Sequence, residues 1–67
     1  MRKIKVQSSM IESIEHNDNT LRVEFTSGSV YDYDGVDDKM LLEFLKAPSL
    51  GSYFHEHIKC LPNRRVR

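Results

Sequence analysis

The stretch with the clearest capacity for chemistry is Ser49-Leu50-Gly51-Ser52, directly after Pro48. A helix that starts there has N–H groups without intrahelical partners and a positive dipole end, which together attract anions. Gly51 clears the backbone for close approach, and the hydroxyls of Ser49 and Ser52 add donors. The competing reading is an ordinary N-cap by Ser49. Tyr31-x-Tyr33 offers two rings to stack on bases, or two core residues whose hydroxyls reach the rim. Ser8-Ser9 precede the first clear strand and are either ligand contacts or a turn. Lys59, Arg64 and Arg65 near one end and Arg2, Lys3 and Lys5 near the other form a basic patch if the fold joins the termini. Otherwise they are solubilising tails.

Other constellations fall short. His55 and His57 are two apart, on opposite sides of a helix, and cannot share a metal. His57 and Cys60 are three apart but lack the further ligands that zinc needs. Asp32, Asp34, Asp38 and Glu43 do not make a calcium loop, because Gly35 is misplaced for an EF-hand. Cys60 with His57 or His16 matches no nucleophile motif. The expectation is therefore no catalytic residue, no metal and no cofactor. A single cysteine excludes an intrachain disulfide and fits a reducing compartment. No apolar run suits a membrane span or a signal peptide, so a cytoplasmic protein is expected, without a membrane partner. A net charge of zero argues against strong non-specific binding to nucleic acid.

Sixty-seven residues allow one domain. So small a chain buries only about 60% of its unfolded surface. It has little core to spare for a deep pocket, and oligomerisation is a common remedy. Residues 3–8 alternate weakly through Ile4 and Val6, as an arm or short strand. Residues 10–16 read as a strand holding Ile11 and Ile14. Asn17-Asp18-Asn19-Thr20 is turn chemistry, because Asn and Asp tolerate left-handed backbone. Residues 21–26 alternate cleanly, with Leu21, Val23 and Phe25 on one face. Residues 30–34 form the next strand. A three-residue loop at 26–28 with a left-handed Gly28 sets the register. It places Val23 opposite Tyr31, Leu21 opposite Tyr33 and Arg22 opposite Asp32. A two-residue loop would turn Asp32 toward the core, which is costly.

Two helices should follow. Asp37 or Asp38 caps the first, which runs to about Lys46 with Met40, Leu41, Phe44 and Leu45 as its apolar stripe. Pro48 ends it. The second covers roughly 50–60, with Tyr53, Phe54, Ile58 and Leu61 on its apolar side, and Pro62 stops it. Residues 63–67 remain as a basic tail. The expected fold is α+β: a three- to four-stranded antiparallel β-meander, then two C-terminal α-helices packed on one face.

Taken in order, Ser8-Ser9, Ile11, Leu21-x-Val23-x-Phe25, Gly28, Tyr31-x-Tyr33, Val36, Phe44, Ala47, Ser49, Gly51, Tyr53-Phe54 and Ile58 make a longer pattern. With its basic end, this string resembles the KTSC domain, a family found at the C-terminus of some lysyl-tRNA synthetases and as stand-alone bacterial and phage proteins. The likeness extends from Val6 to Arg65. It implies a non-catalytic module whose partner is RNA. The candidate ligand residues are then Ser49, Gly51, Ser52, Tyr31, Tyr33, Ser8, Ser9, Lys59, Arg64 and Arg65. Similar domains often have Gly-Tyr in place of Glu15-His16, proline in place of Asp37 and lysine in place of Leu50. The last departure removes a cation from the proposed anion site. The alternative is a phage-type homo-oligomer that sequesters a small nucleotide or binds a host protein.

Overall fold

The structure is a computed structural model that describes residues 2–67. The side chain of Arg2, one of the N-terminal cations, lies outside the described part. The chain forms a five-stranded antiparallel sheet in sequence order: β1 (Arg2–Lys5), β2 (Ile11–Asn17), β3 (Thr20–Phe25), β4 (Val30–Asp34) and β5 (Asn63–Arg65). Between β4 and β5 come α1 (Asp38–Lys46), α2 (Leu50–Tyr53) and a π turn (Phe54–Ile58).

Both hairpins obey their turn residues. Asp18 and Asn19 have φ of 50° and 56°, the two-residue turn that matches strand twist. Gly28 has φ of 100°, its N–H donates to Phe25 O at 2.9 Å, and Phe25 N–H donates to Ser29 O at 2.9 Å. The resulting register pairs Leu21 with Tyr33, Arg22 with Asp32 and Val23 with Tyr31, as the three-residue loop requires.

One face of the sheet carries the core. Ile11, Ile14, Leu21, Val23, Tyr33 and Val36 are buried there under Phe44, Phe54 and Ile58 from the helical segment. Ile11 and Ile14 are three apart, which in a regular strand would place them on opposite faces. A β-bulge between Ile11 and Ser13 adds one residue and brings both to the core side. Asp37 caps α1, its carboxylate accepting from Met40 N–H at 2.8 Å.

Two expectations need correction. The sheet has five strands, because residues 63–65 are not a free tail: they pair with β4, Arg64 opposite Asp32 and Arg65 opposite Tyr31. A cation meets a buried carboxylate there, which anchors the edge strand. The second helix is not continuous α. After one α turn it widens, and Lys59 N–H donates to Phe54 O at 2.8 Å in the i→i+5 pattern.

Candidate functional site

The opposite face of the sheet is roofed by ion-paired side chains. Antiparallel pairing lines up Lys3, Glu15, Arg22, Asp32 and Arg64 across the five strands, with alternating sign. Asp32 is 4% exposed and accepts from Arg22 Nε at 2.8 Å and Nη2 at 3.1 Å. Arg64 lies 3.5 Å from Asp32 and 3.5 Å from Asp34. Glu24 accepts from Lys3 at 3.1 Å and from Ser13 at 3.1 Å, with Arg67 at 3.5 Å. The hydrogen bonds from Arg22 hold the Asp32 carboxyl below its ordinary value, against the opposing effect of burial. Those from Lys3 and Ser13 do the same for Glu24. β1 and β5 are opposite edges of the sheet, but Lys3 and Arg67 both reach Glu24, and among the described residues Lys3, Lys5, Arg64 and Arg67 are engaged by carboxylates.

The tyrosines point the other way. Tyr33 is buried and Tyr31 half-buried on the core face. Phe54 packs edge-on to Tyr33 and Phe25, with centroids 5.3 and 5.6 Å apart, and Phe25 packs against Tyr31 at 5.9 Å. Burial also raises the pKa of the Tyr33 hydroxyl. Tyr53 and Phe54 divide as adjacent helical residues must: Phe54 is buried, and Tyr53 reaches the rim to donate to Glu43 at 3.3 Å.

A third region gathers five of the candidate residues. The β1–β2 loop and the α1–α2 junction face each other across an open groove of about 750 Å³. Ser8 and Ser9 line one wall, and Ser49, Gly51 and Ser52 the other. Both walls are fixed locally. Ser8 Oγ accepts from Met10 N–H at 3.1 Å and Ile11 N–H at 3.2 Å, while Thr26 Oγ1 donates to Ser9 O at 3.2 Å. Ser49 Oγ accepts from Ser52 N–H at 3.3 Å. Ser8 and Ser49 thus have structural roles, and Ser9, Ser49 and Ser52 are all exposed at the groove. A Cβ at Gly51 would meet only Met10 Cε, at 3.8 Å, so the absent side chain leaves part of the groove open.

The lining has a marked composition. The chain has ten carboxylates, yet none lines the groove. The ionisable residues on its lining are Lys5 and His55. Lys5 is 83% exposed and only loosely paired with Glu12, at 3.8 Å. Met10, Leu45 and Leu50 provide half-buried apolar surface. Tyr31, Tyr33, Lys59, Arg64 and Arg65 do not line it. Sequence reasoning placed Lys5 only in a general basic patch and missed the participation of His55. The i, i+4 spacing of Gly51 and His55, which puts both on one side of a helix, was the available signal.

The fold and this groove define a small α+β module with a helix-covered sheet and a polar cleft at one end. The chain belongs to the KTSC domain family, whose sequence profile matches residues 7–60. A KTSC domain protein from Yersinia pestis has a crystal structure that superposes with a TM-score of 0.90, at 32% identity, covering 98% of this chain and 97% of that one. An uncharacterised protein of Stutzerimonas stutzeri is 34% identical over 61 residues, 88% of this chain and 86% of its own length. A lysine–tRNA ligase of Trichormus variabilis is 43% identical over 58 residues, 84% of this chain but only 10% of the ligase. Among the described residues, no helix is long and apolar enough to cross a membrane.

Proposed function

We propose that this chain is a non-catalytic RNA-binding module that receives its ligand in the groove between Ser8-Ser9 and Ser49–Ser52. The observation that carries the reading is a cleft without carboxylates in a chain that has ten of them. Exposed hydroxyls, one lysine and an apolar floor suit a phosphate attached to a sugar and a base. The volume lies within the roughly 300–1,000 Å³ of small-ligand sites. Recurrence of the domain within lysine–tRNA ligases, which act on a tRNA, is consistent with an RNA ligand. Arg64 leaves the expected phosphate-contacting set, because it is spent on Asp32 and Asp34.

That same pairing of cations favours a second reading, sequestration of a free nucleotide, since among the described residues Lys5 and His55 are the ionisable ones on the groove. Salt separates the two. A polynucleotide releases counterions and loses affinity steeply as salt rises, whereas a single nucleotide loses far less.

The test is calorimetric titration of short single-stranded RNA and of mononucleotides into the parent, Gly51→Val and Lys46→Ala. Gly51→Val should keep the fold, because valine has the better helix propensity by a few tenths of a kcal/mol and its Cβ meets only a flexible methionine end. Its branches fill the groove, so RNA affinity should fall well below that of Lys46→Ala, a change outside the lining. Equal affinities in folded variants would remove the groove from the function. A parent that binds mononucleotides but not RNA at low salt would leave the second reading.

A further inference from the structure

We infer that His55 is the base-contacting ring of the groove, stacking on one unpaired base inserted beside Gly51; this rests on the RNA reading above. Three observations meet at this residue. Among the described residues, His55 is the only aromatic side chain that lines the groove, since Tyr31 and Tyr33 pack on the core face. Its ring is exposed and sits edge-on to Phe54, centroids 5.7 Å apart at 73°. Phe54 is itself fixed by Phe25 and Tyr33. Finally, His55 lies four residues after Gly51, on the same side of the helical segment, with Met10 Cε across the gap that Gly51 leaves. A ring, a missing side chain and a thioether end bound a place suited to a planar group.

The ligand class follows from the charges. Lys5 offers a single cation, enough for one phosphate and not for a long backbone, and the remaining lining offers hydroxyls, the His55 ring and apolar surface. A duplex keeps its bases stacked internally and presents mostly phosphates and groove edges, so it cannot use this ring. An unpaired nucleotide can, because every base has a π-face.

The experiment uses fluorescence anisotropy with a labelled single-stranded RNA, the same RNA as a duplex, and an abasic strand of equal length. The proteins are the parent, His55→Ala and His55→Phe, with melting curves for each. His55→Ala should melt like the parent and bind the single strand about tenfold more weakly, the scale of one lost base–aromatic stack. The slope of log affinity against log salt should not change, because no phosphate contact is removed. His55→Phe should restore most of the loss. The abasic strand should bind the parent and His55→Ala equally, and the duplex should bind weakly. Equal binding of the single strand by parent and His55→Ala overturns the inference, as does a folded His55→Phe that rescues nothing or an Ala effect that persists on the abasic strand. A parent that binds no RNA overturns the RNA reading itself, and the base contact with it.

Discussion

Gly28→Val isolates the turn that sets the β3–β4 register. Gly28 has φ of 100°, and nothing lies within 4 Å of a Cβ built there. Any loss is therefore conformational, not steric. Placing an L-residue in left-handed backbone costs about 1–2 kcal/mol. This φ lies outside the small left-handed well near 50–70°, and a β-branched residue suits it least, so we expect about 2–3 kcal/mol. A 67-residue domain has a total stability of only roughly 3–10 kcal/mol. For a domain of this size each kcal/mol shifts Tm by roughly 4–8 °C, so the variant should melt about 10–20 °C below the parent. Gly28→Asn should lose less, because Asn visits left-handed backbone more readily. The assay is thermal unfolding followed by far-UV circular dichroism at fixed concentration and pH. A Gly28→Val protein that melts within about 2 °C of the parent, well under the expected shift, would show that the glycine does not hold the turn. The pairing of Arg22 with Asp32 would then need another cause.

Arg64→Ala should lower Tm by a few degrees, as a partly exposed network loses roughly 0.5–1 kcal/mol, while RNA affinity stays near that of the parent. The opposite result, an unchanged Tm with weakened RNA binding, would return Arg64 to the ligand. Acid should destabilise the protein through Asp32 and Glu24, whose carboxyls are held below their ordinary values of 3.8 and 4.5. A depressed folded-state pKa means that the stabilisation is complete above the unfolded value and is lost as pH falls through the folded one. Tm should hold above about pH 5, where free carboxyls are mostly ionised, and decline below the unfolded values. A double Asp32→Asn, Glu24→Gln variant should decline less; a slope equal to that of the parent would assign the acid lability to other groups.

Local patterns made much of the fold legible. Strict alternation in LRVEFT, paired Asn and Asp at a hairpin and a lone glycine at the next turn each demand one backbone solution, and their joint register follows. What escaped the sequence depends on partners distant along the chain. Arg64 reads as a tail cation until Asp32 lies opposite it, more than thirty residues away in sequence. The Ile11–Ile14 spacing contained the bulge but read as an imperfect strand. The π turn at Phe54–Ile58 leaves no trace in an apolar pattern that suits an α-helix nearly as well. Within the candidate set, Ser8-Ser9 and the Ser49–Ser52 stretch with Gly51 were nominated separately, and only the fold places them on facing walls. Lys5 and His55 were visible as residue types but lacked a reason to be joined.

The two ends of the candidate set differ in a way that bears on function. The family profile spans 7–60, so it contains Ser8, Ser9, Ser49, Gly51, Ser52 and His55 and stops before β5. The arginines of β5 lie outside that span, and Arg64 answers Asp32 and Asp34, carboxylates on its own sheet. The ligand role proposed above is placed at the groove, mostly within that span. The C-terminal cations lie on the strand that closes the β4 edge: an exposed strand edge invites pairing with other chains, and a short, charged strand covers it. On this division, changes at β5 should act through stability, and changes at the groove through affinity with the fold intact.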